Sequence, residues 1–313
     1  LIHTLITVRI FQIFDCDTYD AGGKKVYFLA ADYKLACDSP RHKQFEVFAY
    51  IMIFICAVFV PVAMLIANPA GHYHFLKGID PYSAGVVANP GHEIIFVTLR
   101  DPPTWRRGFD FVDTYLKAEG RDRAALCAIQ LRCPRPYPIE GFVAFNDQYR
   151  KVLADWDLLR DGLNPVARTN VAPDYAPPAE PLMHAFAYTV PAAVTNQPPS
   201  LVIAGAGELR DGVLAAEGIV RRGDTSPEAM REKAAYVMKV MEARLDGLGA
   251  RWDLLNQINV YTVHPLEGFI EDVVLNRLGP ARRMGIHWHH TRPPIVDIEF
   301  EMDMRGVRKE LNC

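Results

Sequence analysis

The amino-acid sequence predicts an α+β fold in which two modules of the order β-β-α-β-α-β follow an N-terminal segment with one long apolar helix. Three observations support this prediction. A run without any charged residue occupies positions 47–67, and short strands then alternate with amphipathic helices from Tyr73 onward. The pattern in the middle of the chain also recurs near its end. The 313 residues are enough for two domains that each bury a core.

The overall charge and the cysteine count restrict the possible functions. The sequence has 34 basic and 37 acidic residues, which gives a formal net charge of -3. Nucleic-acid-binding domains normally carry a basic surplus, so we expect no nucleic-acid partner. Six cysteines in a chain of this length do not make a disulfide framework, and we expect Cys127, Cys133 and Cys313 to be reduced. No glycine-rich phosphate loop is present, and we expect no cofactor.

The first domain is predicted over residues 1–70, with a transmembrane helix at 47–67. At ~1.5 Å per residue such a helix would cover roughly 30 Å, which is the hydrocarbon thickness of a bilayer. A membrane helix tolerates the kink expected at Pro61. A buried core helix is the alternative interpretation of the same run. The change in composition at residues 68–71 is the predicted domain boundary.

The orientation of this helix depends on two opposing signals. The basic residues at 41–43, immediately before the apolar run, favour a cytoplasmic N-terminal side. Cys16 and Cys37 flank an irregular segment on that same side. If they pair, the N-terminal side lies in an oxidising compartment and the orientation reverses. We expect a membrane-anchored protein whose domains after residue 70 are cytoplasmic.

The first module is predicted over residues 71–195. Two short strands lie on either side of Asn89-Pro90-Gly91, where proline fixes φ and glycine supplies a positive φ. The remaining elements are a helix from Trp105 to Glu119 that stops at Gly120, a buried strand from Ala124 to Leu131, a second helix from Gly141 to Leu159, and a final strand within Asn164–Val190.

The second module is predicted over residues 196–313 and repeats this order. Ser226, Pro227 and Glu228 favour a helix N-terminus, because they supply a cap, a first-turn proline and an acidic residue near the positive end of the helix dipole. A second helix is expected from Gly268 and a final alternating strand within 279–302. Residues 120–131 align without a gap with residues 249–260, and this recurrence predicts an internal duplication.

Short motifs in both copies carry a family resemblance through their order and spacing. They are Asp80-Pro81-Tyr82-Ser83-Ala84, Phe145-Asn146 with Tyr149, Pro165-Val166-Ala167-Arg168-Thr169, Ile203-Ala204-Gly205, Pro280-Ala281-Arg282 and Val296-Asp297-Ile298-Glu299. With these motifs the chain resembles the RidA/YjgF family of enamine and imine deaminases, present twice in tandem from Tyr73 to about Arg305. The resemblance implies the chorismate-mutase-like α+β fold and a homo-oligomer, usually a trimer with clefts between modules.

The resemblance also implies a reaction and a set of site residues. RidA-like enzymes hydrolyse enamines or imines such as 2-aminoacrylate to a 2-keto acid and ammonia. Arg168 and Arg282 would be the clamps for the substrate carboxylate, since arginine offers a planar donor pair. Tyr82 and Asn146 would line the cleft. Asp297, which follows Arg282 by fifteen residues as in the family, would orient the attacking water.

Each of these residues also has a plainer interpretation. The two arginines could form structural ion pairs, Tyr82 could be a hydrogen-bonded core residue, and Asn146 could bond only to the backbone. Asp297 and Glu299 face the same way on an alternating strand, so one of them could simply be solvated. The first copy lacks the acidic residue, whereas the second lacks the tyrosine and the asparagine. A site, if present, would therefore combine elements of both copies.

A metal site is the other chemistry that the sequence suggests. His287 and His289 flank Trp288 and would face one side of a strand, a spacing compatible with two metal ligands. No acidic or cysteine third ligand follows at short range. We therefore expect no metal.

The sequence predicts a membrane-tethered, oligomeric deaminase that acts on a small carboxylated enamine or imine. Two alternatives stay open. One is an enzyme like the aminomuconate deaminases or chorismatases, acting on a larger carboxylated substrate. The other is a ligand-binding or scaffold protein without catalytic activity.

Overall fold

The computed structural model describes residues 16–21, 24–29, 32–37, 39–54, 72–78, 83–194, 196–210 and 213–313. The chain divides into two compact units, Leu1–Ala70 and Gly71–Cys313.

The first unit contains a small antiparallel sheet of three strands in the order β1-β2-β3, followed by one helix. Cys16 and Cys37 form the disulfide that the sequence left open. Ser39 caps the helix, because its hydroxyl accepts a hydrogen bond from the backbone N–H of His42 at 3.2 Å. The elements are β1 (Cys16–Ala21), β2 (Lys24–Leu29), β3 (Asp32–Ala36) and α1 (Pro40–Phe54).

The predicted transmembrane helix at 47–67 is not supported. Across the residues that the structure describes, no helix is both long and apolar enough to cross a bilayer. Helix α1 begins at Pro40 and ends at Phe54, so its first turns carry charged residues, including Arg41 and Glu46, that precede the apolar run. Residues 55–67, which complete the predicted helix, lie outside the described residues.

The second unit combines a twelve-stranded sheet with three α-helices in its described part. Its elements are β4 (Tyr73–Lys77), β5 (Ser83–Ala88), β6 (His92–Thr98), α2 (Trp105–Ala118), β7 (Leu126–Arg132), α3 (Ile139–Asp155), β8 (Ala167–Pro173), β9 (Leu182–Pro191), β10 (Leu201–Gly207), α4 (Pro227–Gly247), β11 (Gln257–Tyr261), β12 (His287–His289), β13 (Thr291–Arg292), β14 (Glu301–Gly306) and β15 (Lys309–Asn312).

The sheet curls until its strand order closes on itself. The order runs β14-β10-β5-β8-β7-β9-β6-β15. Strand β14 pairs with β10 at one end of this path, and β15 pairs with β6 at the other. Only Val307 and Arg308 separate β14 from β15, so consecutive strands of one chain segment join the two ends. Strands β11 and β12 extend outward from the other edge of β14.

A buried cluster with many small side chains occupies the inside of this ring, whereas helices cover the outside. This cluster draws residues from β5, β6, β7, β8, β9 and β10, and it is rich in alanine: Ala88, Ala128, Ala167, Ala185, Ala187 and Ala204. Strands on opposite sides of a closed sheet can approach closely only where their inward side chains are small. A second cluster packs α2 and α3 on the outer face, and a third packs α4 there.

A buried carboxylate links the two halves of the ring. Asp303 on β14 is 3% exposed and accepts hydrogen bonds from four side chains. Gln130 and Thr169 donate from the first half at 2.9 and 2.6 Å, and Asn259 and Tyr261 donate from the second half at 2.6 and 3.1 Å. These bonds satisfy a charge that would otherwise be costly to bury.

Capping and periodicity correctly predicted the helices of the first half and the long helix of the second. Helix α2 spans Trp105–Ala118, one residue short of the predicted end, and Gly120 follows at a φ of 66°. In α4, Ser226 accepts the backbone N–H of Ala229 at 3.3 Å, as the capping signal predicts. Residues 71–195 and 196–313 do not form separate sheets, since β10 pairs with β5 and β15 pairs with β6 in one continuous sheet.

The second half departs from the predicted order after β11. The helix expected from Gly268 is a π-helical turn at Ile270–Val274 followed by short 3-10 turns. Residues 279–302, expected to contain one alternating strand, hold a 3-10 helix (Gly279–Met284), the short strands β12 and β13, and a turn before β14. Gly268, Gly279 and Gly285 adopt positive φ, which interrupts regular elements at each of these points.

Replacing Asp303 by alanine is expected to destabilise the fold strongly. The change would leave four buried donors without their acceptor, and each unsatisfied donor costs about 1–3 kcal/mol. We expect the free energy of unfolding, measured by urea denaturation, to fall by at least about 3 kcal/mol. Asp155→Ala, at the exposed end of α3, is the matched control. Equal stability of the two variants would contradict the proposed role of this carboxylate.

Candidate active site

A cavity of about 130 Å³ is lined by residues of β5, β8, β10 and α4, by the turn that precedes β14 and by Glu301 of β14. Strand β8 and the residues before it supply one wall. Asn164, Val166, Arg168 and Asn170 alternate along the chain and all line the cavity. Thr169, between the last two of them, points to the opposite side and bonds to the buried carboxylate inside the ring. Strand β8 therefore places Thr169 in the interior of the ring and places Arg168 and Asn170 at the cavity.

Aromatic rings hold the Arg168 guanidinium in place. Its central carbon lies 4.7 Å from the ring centre of Tyr149, 5.7 Å from that of Phe145 and 5.8 Å from that of Phe142. These three rings come from one face of α3, because their spacing is three and then four residues. Cation–π attraction to a desolvated ring is stabilising, so α3 orients this arginine at the cavity wall.

Glu301 contributes a buried carboxyl to the same cavity. The residue is 4% exposed and stands opposite Gly207 in the pairing of β14 with β10. Burial raises the pKa of the Glu301 carboxyl well above its usual range, and the nearby Asp303 raises it further, whereas Arg244 and Arg168 oppose this rise. Burial therefore shifts the balance of Glu301 towards its protonated form, and a carboxyl group that can carry a proton faces the cavity.

The position of Glu301 requires a glycine on the neighbouring strand. A Cβ atom at Gly205 would overlap Oε1 of Glu301. The pairing of β10 with β14 shifts register between Ile203 and Ala206, which places Gly205 within the irregularity. Such irregularities often redirect side chains next to functional sites.

Helix α4 supplies the opposite wall through Val240 and Arg244, which are one turn apart. Nη1 of Arg244 donates to the backbone carbonyls of Ala204 at 2.7 Å and Gly205 at 3.3 Å. These bonds fix the guanidinium against the bulged part of β10. The cavity thus has a guanidinium on each of two walls.

Asn170 brings an amide into the cavity without any hydrogen-bond partner among the described residues. The residue is 3% exposed, and both its Oδ1 and its Nδ2 lack a partner there. Buried side-chain amides are almost always hydrogen-bonded in folded proteins. An acceptor and a donor at the cavity wall are therefore available to a bound molecule.

Two of the residues predicted from sequence lie at or near this cavity. Arg168 lines it directly. Asn146 is 2% exposed on α3 and its Nδ2 donates to the carbonyl of Phe142 at 2.7 Å, which is the backbone contact considered as its alternative role. Tyr82 lies outside the described residues. Its chain neighbour Ser83 lines the cavity.

The other two predicted residues make contacts elsewhere. Arg282 is half exposed on the 3-10 helix, where it donates to Oδ1 of Asn276 at 2.8 Å and lies 3.9 Å from Glu271. Asp297 adopts a φ of 70°, and its carboxylate accepts a hydrogen bond from Nε of Arg222 at 2.8 Å. The structure thus does not bring Arg282 to the cavity. Asp297 does not line the cavity either, although the adjacent Ile298 does.

Of the two histidines considered as metal ligands, His289 has other partners. A ring nitrogen of His289 lies 3.1 Å from Oδ1 of Asn259, and the ring stacks on Tyr261 at 4.9 Å. Burial lowers the pKa of His289, with Arg132 contributing, so the ring is neutral near physiological pH. These contacts tie β12 to β11.

Three of the cavity residues with polar side chains, Asn170, Arg244 and Glu301, were missed by the sequence analysis. Glu301 follows the predicted Asp297 and Glu299 in the same alternating run, and the signal was an acidic residue in a strand otherwise rich in buried methionines. Arg244 lies on a helix with many charged residues. Its only distinguishing signal is the spacing of four residues from the apolar Val240.

Comparisons with known proteins identify a family. The family model described as 2-aminomuconate deaminase CnbZ matches residues 65–311. A 2-amino-5-chloromuconate deaminase from Comamonas testosteroni is 40% identical over 247 residues, covering 79% of this chain and 97% of that protein. The family model matches one continuous range that includes both predicted modules. It therefore gives no support to the predicted tandem duplication.

Likenesses to solved structures are weak. A chorismatase is 12% identical with a TM-score of 0.41, covering 74% of this chain and 80% of that one. A candidate endoribonuclease from Thermotoga maritima is 16% identical with a TM-score of 0.27, covering 44% of this chain and 92% of that one.

Replacing Glu301 by glutamine is expected to change how stability depends on pH. The folded state raises the pKa of this carboxyl, so the native protein keeps a proton that the unfolded chain releases above about pH 4.5. Wild-type stability therefore falls, relative to Glu301→Gln, as the pH rises through the folded-state pKa. We expect the Tm of the variant minus the Tm of the wild type, measured calorimetrically from pH 4 to pH 9, to increase with pH. A difference in Tm that is constant across this range would contradict the raised pKa.

Proposed function

The chain belongs to the 2-aminomuconate deaminase CnbZ family, and we propose that it hydrolyses 2-aminomuconate, or a close derivative, to a 2-oxo dicarboxylate and ammonia. The family match and the 40% identical deaminase support this proposal. It corresponds to the alternative of a larger carboxylated substrate, not to the small enamine that was first predicted. The sequence motifs indicated the reaction on a C–N bond, but substrate size depends on the shape of the cavity.

Arg168 is proposed to hold the carboxylate next to the amino-bearing carbon. 2-Aminomuconate is an enamine with a carboxylate at each end of a conjugated chain. A guanidinium binds a carboxylate through two parallel hydrogen bonds, which fixes both its position and its plane. Because the aromatic rings of α3 restrict Arg168, the bound end of the substrate would be placed reproducibly against β8.

Glu301 is proposed to transfer the protons of the reaction. Its protonated carboxyl gives a proton to a carbon of the enamine, and the C–N bond becomes a protonated imine. The resulting carboxylate accepts a proton from water while the water oxygen bonds to the imine carbon, which yields a carbinolamine. Glu301 then protonates the nitrogen and accepts the hydroxyl proton as the carbonyl forms and ammonia leaves. One water is consumed, and Glu301 ends in its starting state.

The pKa of Glu301 suits this role. A general acid and base works best when its pKa lies near the working pH, and enzymes reach this for glutamate by burial. Burial raises the pKa of Glu301, while the two cavity arginines limit the rise. The combination of this buried carboxyl with Arg168 in one cavity is the observation that carries the proposal.

Asn170 is proposed to orient the reacting nitrogen. Its Oδ1 can accept a hydrogen bond from the amino group, and its Nδ2 can donate to the neighbouring carboxylate. Asn170 and Arg168 are two residues apart and line the cavity from the same strand. A substrate bound by Arg168 therefore satisfies an amide that has no other partner among the described residues.

The wild-type protein is expected to release ammonia from freshly generated 2-aminomuconate. Arg168→Gln should raise KM by roughly 10- to 100-fold, because a charged hydrogen-bonded contact to the substrate is lost. Arg282→Gln is the matched variant, since sequence predicted both arginines and only Arg168 lines the cavity. Ammonia release and loss of the substrate absorbance measure both variants. An unchanged KM in Arg168→Gln, or an equal rise in Arg282→Gln, would argue against this assignment.

Asn170→Leu is expected to separate activity from stability. Leucine has a similar size and removes two buried polar atoms that lack partners in the described part of the chain, so the Tm should stay constant or rise. The value of kcat/KM should fall by roughly 10- to 100-fold, because the nitrogen loses its acceptor. A lower Tm with kcat/KM unchanged would show instead that Asn170 has a structural role.

A further inference from the structure

We propose that Arg244 binds the second carboxylate of the substrate and thereby makes the cavity selective for dicarboxylates over monocarboxylates. This inference rests on the proposed function, because it concerns the same cavity. It adds Arg244, on α4, as a residue that determines specificity. The resemblance to deaminases of small enamines did not indicate this residue.

The two cavity arginines come from different walls. Arg168 is presented by β8, on the outer face of the ring, and Arg244 by α4, which packs over that face. Both guanidinium groups oppose the rise in the pKa of Glu301, so each exerts its field on the same carboxyl. A substrate next to Glu301 therefore lies within the field of two positive charges that reach it from different elements.

The position of Arg244 is set by the backbone of β10. Nη1 donates to the carbonyls of Ala204 and Gly205. A guanidinium carries five N–H donors in a rigid plane, so binding a carboxylate is compatible with these two bonds. Fixing the plane in advance reduces the entropy that is lost when a carboxylate binds.

The charges of the cavity match a dicarboxylate. Arg168 and Arg244 both line the cavity, and each guanidinium can pair with one carboxylate of a substrate that has a carboxylate at each end. A monocarboxylate such as 2-aminoacrylate can pair with only one of the two guanidinium groups, so it binds with one charged contact fewer. Apolar side chains cover the space between the arginines and suit a conjugated chain: Phe142, Val166, Val240, Ile295 and Ile298.

Binding of two non-reacting probes to the full-length protein tests this inference. Muconate and sorbate share a dienoate chain, and muconate alone has the second carboxylate. Isothermal titration should show that the wild type binds muconate roughly 100-fold more tightly than sorbate. In Arg244→Met this preference should fall to within a few-fold, through weaker muconate binding, while sorbate binding stays the same. Arg244→Lys should keep part of the preference, since lysine retains the charge but not the planar donor pair.

Lys239→Met is the matched control, because it removes a positive charge from an exposed position of the same helix. It should leave the preference for muconate intact. Loss of muconate and sorbate binding together in Arg244→Met would show that Arg244 only supports the β10 backbone, and would overturn the inference. So would an unchanged preference. A wild type that binds muconate selectively but releases no ammonia from 2-aminomuconate would instead refute the proposed function alone.

Discussion

The buried carboxylate of Asp303 is the interaction on which both the ring and the cavity depend. It accepts hydrogen bonds from both halves of the sheet, and one donor is the hydroxyl of Thr169. That hydroxyl also accepts the backbone N–H of Gly205 at 3.1 Å. Thr169 lies between Arg168 and Asn170, so the bonds that secure the interior also set the position of the strand that lines the cavity. Fold and site are thus coupled through one carboxylate.

The site can be assembled only because the sheet closes. Arg168, Arg244 and Glu301 are far apart in the sequence, and no local pattern relates them. They meet because β14 pairs with β10 while β15 reaches β6, and because α4 packs over β10. Gly205 lies within the register shift of β10, and its missing side chain leaves the space that the Glu301 side chain occupies. The sequence analysis predicted a site that combines residues of both copies, but it did not predict Glu301.

The sequence predicted best where local physics decides the structure. The cap at Ser226, the stop at Gly120 and the apolar periodicity of the helices each depend on a few neighbouring residues. Arg168 was also recognisable from its local motif. Prediction failed after β11, where the repeat favoured a helix and a long strand. Gly268 and Gly279 adopt positive φ there, and tertiary contacts replace both elements with short turns. The uncharged run at 47–67 has the length of a membrane-spanning helix, but it does not show that α1 already begins at Pro40.

Helix α4 positions both charged groups of the second half of the site. Lys233 is fully buried and bonds to Glu208 at 3.0 Å, and Glu208 in turn accepts the backbone N–H groups of Glu299 and Phe300 at 2.7 and 3.0 Å. These bonds fix the chain immediately before Glu301. Arg244 follows Lys233 by eleven residues, about three helical turns, so both lie on nearly the same face of α4. A buried ion pair is costly unless its remaining bonds are satisfied. Here it holds Glu301 and Arg244 in a fixed relation, which a site with two separated binding groups requires.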